Sequence, residues 1–150
     1  MGTDRLGRQK MIALIAHDNR KAELIDWAEN NRNILSKHFL CGTGTIAKLI
    51  SEKTGLEVKV FKSGLMGGGQ QIGASIVNDE IDFMCFFWDP LTSQPHDPDI
   101  KALLRISVIY DIPIAMGRST ADFLLSSPLM DEEYDRHVID YYNKIRKANF

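Results

Sequence analysis

The stretch that decides the fold is Lys62–Gly73, which reads KSGLMGGGQQIG. It follows a largely apolar run, Val58–Phe61, and leads into Ile72–Val77, where apolar residues recur at helical spacing. This order predicts a strand, a turn and a helix. Glycine allows positive φ angles and lets backbone N–H groups approach a ligand, and N–H groups at a helix N-terminus attract anions. The stretch therefore predicts either a close-packed turn or an anion-binding turn.

Apolar runs elsewhere predict four more strands, which alternate with segments of helical spacing. This alternation predicts a single three-layer α/β domain with a five-stranded, mostly parallel sheet. Right-handed crossovers place the carboxyl ends of all the strands at one edge, where ligands of such sheets bind. The five predicted strands are Met11–Ala16, Phe39–Cys41, Leu56–Phe61, Ile81–Phe87 and Pro113–Met116.

Residues suited to helix ends mark the boundaries of the predicted helices. Gly55 is expected to end a helix that begins near Ala47, because glycine readily adopts the left-handed conformation that follows a helix. A last helix is expected around residues 140–147. Side chains that cap helix N-termini are expected to begin three other helices. These expected caps are Asn19, Asp97 and Ser119.

The composition indicates a globular protein of one domain. The chain has 150 residues and a formal net charge of −2 at pH 7, which argues against nucleic acid or an anionic membrane as its main partner. Residues 1–10 are polar, have no apolar signal region and are predicted to be disordered, which leaves residues 11–150 as the domain. Cys41 and Cys85 lack metal-ligand spacing, so buried free thiols are predicted rather than a zinc site or a disulfide framework.

Hydroxyl, glycine and titratable residues follow four of the predicted strands, and their convergence predicts a phosphate site without a Walker lysine motif. Lys21, about one turn into the first helix, supplies a cation for this site. Taken alone, Thr43 and Thr45 are equally consistent with simple helix caps. The residues expected at this edge are His17, Asp18, Thr43, Gly44, Thr45, Ser63, Gly64, Asp89, His96 and Asp97.

Two histidines lie beside carboxylates at this edge. His17 precedes Asp18, and His96 is followed by Asp97 and Asp99. A histidine held by a carboxylate can polarise a carbonyl or transfer a proton. Asp97 is interpreted as a helix cap, whereas Asp99 is freer to face a ligand. The alternative is that each histidine is an ordinary surface or hydrogen-bonded residue.

Six motifs in this order resemble those of methylglyoxal synthases. The resemblance extends from Met11 to the C-terminus and implies a methylglyoxal-synthase-like, Rossmann-like α/β fold. The motifs are IALIAHD at 12–18, GTGT at 42–45, KSGLMGGGQQIGA at 62–74, FFWDPL at 86–91, HDPD at 96–99 and STADF at 119–123.

The resemblance implies a reaction on dihydroxyacetone phosphate without a metal or organic cofactor. A carboxylate removes a proton from the hydroxymethyl carbon, and the resulting enediol phosphate expels inorganic phosphate and becomes methylglyoxal. His96 is implied to polarise the carbonyl, with Asp18, Asp89 and Asp99 around it. The residues implied to bind the phosphorylated substrate are His17, Lys21, Thr43, Gly44, Thr45, Ile46, Ser63 and Gly64.

The same resemblance implies a homohexamer in the bacterial cytoplasm, where the enzyme bypasses lower glycolysis and inorganic phosphate inhibits it. Dihydroxyacetone phosphate and phosphate are then the small-molecule partners, with no nucleic acid or membrane partner.

Three positions depart from the family pattern. The family reads Gly-Gly-Asp-Gln-Gln with the aspartate as catalytic base, and here that position is Gly69. Ile46 replaces a threonine, and Leu65 replaces a proline. Because a positioned base is typically worth ~10² to 10⁴ in rate, the resemblance predicts an impaired synthase. The alternative is a catalytically dead phosphate-ester-binding or regulatory module on the same fold.

Overall fold

The computed structural model describes residues 4–138 and residue 140. These residues form a five-stranded parallel sheet, a two-stranded antiparallel sheet and six α-helices. The strands are β1 (Arg5–Leu6), β2 (Met11–Ala16), β3 (Phe39–Thr43), β4 (Val58–Phe61), β5 (Phe83–Phe87), β6 (Ile114–Ala115) and β7 (Tyr134–Asp135). The helices are α1 (Lys21–Asn30), α2 (Arg32–Leu35), α3 (Gly44–Thr54), α4 (Gly68–Val77), α5 (Asp97–Ile109) and α6 (Arg118–Leu125).

The large sheet has the strand order β4-β3-β2-β5-β6, and every neighbouring pair is parallel. The three-layer α/β prediction is therefore confirmed. The chain first adds β3 and β4 on one side of β2 and then crosses to add β5 and β6 on the other. In open sheets of this kind, ligands bind beyond the carboxyl ends of the strands near such a reversal.

Alternating side chains of β2 explain why both faces of the sheet are covered. Leu14 lies in a core cluster with residues of α1, α3 and α6, whereas Ile15 lies in a second cluster with residues of α4 and α5. Both side chains are buried. A strand that is buried on both faces reads as a continuous apolar run, which is the pattern that predicted it.

Gly55 follows α3 in the left-handed conformation, with φ of +74°, as the sequence predicts. The predicted Asn19 cap is wrong. Asn19 lies in a 3₁₀ turn before α1, and its amide donates to Asp89 Oδ2 at 2.9 Å instead of capping the helix. A short polar side chain at a strand end satisfies either role locally, so the tertiary partner decides between them.

The predicted caps of α5 and α6 are each displaced. His96 occupies the N-cap position of α5, and the Asp97 carboxylate instead accepts the backbone N–H of Gln94 at 2.9 Å. Gly117 precedes α6, so Ser119 lies inside the helix rather than at its start. Helices α5 and α6 lie where the sequence predicts them, and only the residues at which they begin differ from the prediction.

The N-terminal segment is held by the far end of the described chain. Strand β1 pairs with β7, and the buried Lys10 ammonium donates to the carbonyl oxygens of Gly7 and of Glu132, the latter at 2.7 Å. This order differs from the disorder predicted for residues 1–10, because the partner strand is about 130 residues away and local polarity does not reveal it. Residues 1–3 and the helix predicted at 140–147, except Asp140, lie outside the described residues.

None of the helices described is both long enough and apolar enough to cross a membrane. Cys41 and Cys85 are both buried and free, and burial raises the pKa of Cys41 to about 12.

His38 is buried beneath the N-terminal segment. Its Nδ1 accepts the backbone N–H of Lys10 at 3.0 Å, and its Nε2 lies 3.6 Å from Asp131 Oδ1. Burial is the largest influence and lowers the pKa of His38, with the Asp131 carboxylate opposing it. At pH values below the ordinary pKa of histidine, the unfolded chain binds a proton at His38 more readily than the folded chain does. The stability of the fold is therefore lost as the pH falls through that pKa.

We expect His38→Asn to reduce the fall in Tm between pH 7.5 and pH 5.5, because asparagine keeps an acceptor for Lys10 but does not titrate. Burial also lowers the pKa of His17, so part of the pH dependence should remain. The exposed His137, changed to asparagine, is the matched control and should leave the pH dependence unchanged. A thermal-melt series in which His38→Asn keeps the full pH dependence contradicts this assignment.

Candidate active site

A cavity of about 440 Å³ opens at the carboxyl edge of the large sheet. Its volume is in the range of sites for small molecules. It collects most of the residues that the sequence singles out, because the loops and helix starts that carry them follow the carboxyl ends of the strands. The predicted site residues on its lining are His17, Asp18, Lys21, Thr43, Gly44, Thr45, Ser63, Gly64, Gly69, His96 and Asp99.

The turns after β3 and β4 lie against each other. Gly44 begins α3 with φ of +53°, and a Cβ there would lie 3.2 Å from Cβ of Ser63. This close approach brings Thr43 and Thr45 beside Ser63. No side chain in the described chain caps the start of α3, so its first N–H groups remain available to an anion.

Ile46 does not line the cavity. Its side chain is 1% exposed and packs in the core with Ala47 and Ile50. The helical turn of α3 directs position 46 toward the sheet, while Thr45 lines the cavity. The Ile46 side chain therefore lies away from the cavity, and a phosphate contact from this position would have to come from its backbone N–H.

The consecutive glycines of the loop are not equivalent. Gly67 has φ of +94°, and a Cβ on Gly68 would lie 1.9 Å from the carbonyl oxygen of Lys62. At Gly69 the nearest atom to an added Cβ, outside its own helix backbone, is Cβ of Asp99 at 3.9 Å. Gly67 and Gly68 are thus required by the backbone, whereas position 69 has room for a side chain.

His96 packs directly on the Ser63–Gly64 turn. A Cβ on Gly64 would lie 2.8 Å from Nε2 of His96, so only glycine lets the ring take this position. The rings of His96 and His17 meet edge to face with centroids 6.0 Å apart. Nδ1 of His96 is buried and has no hydrogen-bond partner among the residues described.

The tautomer of His17 follows from its backbone partner. Its Nδ1 accepts the N–H of Asp89 at 3.0 Å, so the proton of the neutral ring resides on Nε2. That Nε2 is buried without a partner in residues 4–138 or 140. Burial, followed by the nearby His96, lowers the pKa of His17. His17 is therefore neutral at physiological pH and presents an unused N–H donor at the cavity.

Asp89 acts beside the cavity rather than within it. Its Oδ2 accepts from Asn19 at 2.9 Å and its Oδ1 accepts the N–H of Leu91 at 3.0 Å. These hydrogen bonds, that from Asn19 first, lower the pKa of Asp89. Asp89 lines a separate cavity, together with other residues of the proline-rich loop (residues 88–96) between β5 and α5. The structure thus does not support Asp89 as a group that touches a ligand. The Asp89 carboxylate instead orients the loop, and the Asp89 N–H orients the ring of His17.

Asp18 and Lys21 form an ion pair at the cavity rim, with Oδ1 and Nζ 2.8 Å apart. The hydrogen bond and charge of Lys21 lower the pKa of Asp18, whose side chain is 88% exposed. Nζ of Lys21 also lies 3.4 Å from Oγ1 of Thr45. Lys21 is therefore positioned to bind an anion, but its charge is offset by Asp18.

Asp99 is the predicted carboxylate that faces position 69. It lines the cavity, and its Oδ1 accepts from the Gln70 amide at 3.3 Å. No group of three potential metal-ligating side chains occurs in the described part of the chain.

Sequence reasoning missed two polar residues on the lining, Lys48 and Gln94. The spacing of three between Thr45 and Lys48 on a helix is a signal that identifies Lys48. Gln94 lies in the irregular proline-rich loop, where no periodicity points to it.

The chain matches the MGS-like domain family over residues 23–116. It is 70% identical to the methylglyoxal synthase of Clostridium acetobutylicum, over 97% of this chain and 100% of that protein. It is 56% identical to the methylglyoxal synthase of Leptospira interrogans, over 92% and 93% of the two chains. The crystal structure of methylglyoxal synthase from Elizabethkingia anophelis NUHP1 is similar with a TM-score of 0.89 and 46% identity, covering 95% and 93%.

Proposed function

The chain belongs to the methylglyoxal synthase family, and we propose from this that it converts dihydroxyacetone phosphate into methylglyoxal and inorganic phosphate, at a reduced rate. The observation that carries the proposal is the cavity at the sheet edge, where hydroxyl groups and an ammonium adjoin two histidine nitrogens that have no hydrogen-bond partner in residues 4–138 and 140. Its relatives are named for this reaction.

The phosphate group of the substrate binds at the turns after β3 and β4. The hydroxyls of Thr43, Thr45 and Ser63, the uncapped N-terminus of α3 and the ammonium of Lys21 supply the donors. Hydrogen bonds from charged donors and from helix-terminal N–H groups are the usual means of holding phosphate.

The two histidines stabilise the charge that forms on the carbonyl oxygen. A base takes a proton from the hydroxymethyl carbon, and the electrons of that C–H bond form a double bond to the carbonyl carbon, which leaves an enediolate. His96 polarises the carbonyl in this proposal, and the neutral His17 donates from Nε2. Donors fixed in a buried site stabilise such charge without reorganisation.

Phosphate leaves in the second step. The enediolate oxygen first takes up a proton, which gives the enediol. The terminal hydroxyl of the enediol then loses its proton and becomes an aldehyde, the double bond shifts toward the carbon that carries the phosphate, and that C–O bond breaks. The enol that remains tautomerises to methylglyoxal. Atoms and electrons balance without an oxidant or a reductant.

The site lacks a carboxylate at the position where the family has its catalytic base. Gly69 carries no carboxylate, and the nearest side chain to the space above it is Asp99. We assign Asp99 as the slow residual base, because it lines the cavity while Asp18 is ion-paired and Asp89 faces elsewhere. A base held away from its best position explains a reduced rate.

We also propose the assembly and setting that the family resemblance implies: a cytoplasmic homohexamer inhibited by inorganic phosphate. Exposed apolar side chains at the cavity mouth and on the neighbouring loop support an assembly, with Leu65 at 66%, Met66 at 74% and Leu91 at 93% exposure. Light scattering at micromolar concentration measures the mass directly.

A second candidate is a phosphate-ester-binding module without turnover, and the absence of a carboxylate at Gly69 favours it. The two candidates differ in one measurement. Purified protein is mixed with dihydroxyacetone phosphate, and methylglyoxal and released phosphate are quantified together. Equal amounts of both products above the uncatalysed rate support the enzyme, and Asp99→Asn should lower that rate. Binding without either product supports the module.

A further inference from the structure

Lys48 is a positively charged residue on the lining of the cavity, and it lies outside the sequence motifs that resemble the family. It lies on α3 three residues after Thr45, and both side chains line the cavity. Residues three apart on a helix share a face, with Cβ atoms roughly 5 to 6 Å apart. The intervening Ile46 and Ala47 are buried in the core. Lys48 therefore projects from the cavity side of the helix that begins at the phosphate-binding turn.

The charges around the cavity leave the ammonium of Lys48 uncompensated. Lys21 is paired with Asp18 at 2.8 Å, and Asp99 adds a second negative charge to the lining. His17 is neutral because burial lowers its pKa. Among the residues described, the Lys48 ammonium makes no hydrogen bond and no ion pair.

A phosphate monoester carries between one and two negative charges near neutral pH. The Lys21–Asp18 pair contributes little net charge to balance it, and Asp99 repels it. We propose that Lys48 supplies the net positive charge that holds the phosphate group of the ligand. This inference rests on the proposed function, because it adds a residue to the phosphate site of the same cavity.

The geometry suits this role. Thr45 Oγ1 lies 3.4 Å from Nζ of Lys21, so the hydroxyl marks one edge of the anion position. The flexible four-carbon stem of lysine carries three donors and spans the remaining distance of one helical turn. Lys21 from α1 therefore contacts Thr45, and Lys48 lines the same cavity from α3, three residues after Thr45.

The test is calorimetric titration of the chain with inorganic phosphate at low ionic strength in a buffer without phosphate. Lys48→Gln is expected to weaken binding roughly tenfold and to reduce its dependence on salt, because one charged contact is lost. Lys48→Arg should restore most of the affinity. Lys53→Gln is the matched control, since Lys53 is exposed on the same helix but absent from the cavity lining.

The outcomes separate the two proposals. If the unmodified chain binds phosphate and Lys48→Gln behaves like Lys53→Gln, Lys48 is only a solvated rim residue and this inference is overturned while the phosphate site stands. If the unmodified chain binds no phosphate at millimolar concentration, the proposed function and this inference both fail. Selective weakening by Lys48→Gln supports both.

Discussion

Gly69→Asp is expected to raise the rate of methylglyoxal formation at saturating dihydroxyacetone phosphate by at least ~10²-fold. Gly69 is the second residue of α4 and its added Cβ meets nothing closer than Cβ of Asp99 at 3.9 Å, so the side chain fits. Its φ lies outside the left-handed region, unlike that of Gly67. A carboxylate in the first turn of a helix is also favoured by the helix dipole.

The neighbouring Asp99 makes the new carboxylate a better base. Repulsion from the nearby Asp99 carboxylate favours uptake of a proton by the new side chain, which is what a base requires. Substrate affinity should change far less than the rate, because the new group adds some repulsion to the phosphate and no binding contact. The gain should therefore appear in kcat rather than in KM.

Gly69→Asn is the control for this variant. It has almost the same size and hydrogen-bonding reach as aspartate but cannot accept a proton at neutral pH. We expect the Gly69→Asp variant to be far faster than the Gly69→Asn variant, and the Gly69→Asn variant to have a rate close to that of the unmodified chain. Equal rates for all three would contradict the assignment of position 69 as the place of the base.

Gly68→Ala and Gly69→Ala are expected to have opposite effects on stability. A Cβ on Gly68 would lie 1.9 Å from the Lys62 carbonyl oxygen and 2.9 Å from that of Ser63, so backbone must move. The expected loss in the free energy of unfolding is about 1 to 3 kcal/mol or more. The Cβ of Gly69→Ala makes only an ordinary van der Waals contact, with Cβ of Asp99 at 3.9 Å, and alanine in a helix should stabilise by about 0.5 to 1 kcal/mol.

Denaturant unfolding of the two alanine variants measures this difference directly. Because the Gly68 change also displaces Ser63, it should weaken phosphate binding, whereas Gly69→Ala should not. Similar unfolding free energies for the two variants would show that the loop tolerates a side chain at both positions. That result would contradict the close approach of Gly68 to the Lys62 carbonyl oxygen.

The parts of this structure that the sequence predicts well are those encoded by local pattern. The run Met11–Ala16 is apolar because β2 is buried on both faces, and the chain order of strands and helices then dictates where His17 and Thr43 meet. The position of Gly55 is also predictable from the sequence, because the left-handed residue that follows a helix is usually glycine.

The parts that the sequence misses depend on distant partners. The pairing of β1 with β7 joins the two ends of the described chain, and neither strand has a pattern of its own. Asp89 is at a strand end like the other candidates, but Asn19 and the Leu91 N–H hold it outside the cavity. Ile46 is adjacent in sequence to a cavity residue and still buried, because one step along a helix changes the face by about 100°.

The proposed function requires that the cavity bind a phosphorylated substrate although position 69 carries no base. Calorimetric titration with a planar, phosphorylated mimic of the enediolate tests it most directly, on the unmodified chain and on Gly69→Asp. We predict that both bind the mimic with affinities within about tenfold of each other and that both gain thermal stability from it. Binding by Gly69→Asp alone, or by neither chain at millimolar mimic, would contradict the claim.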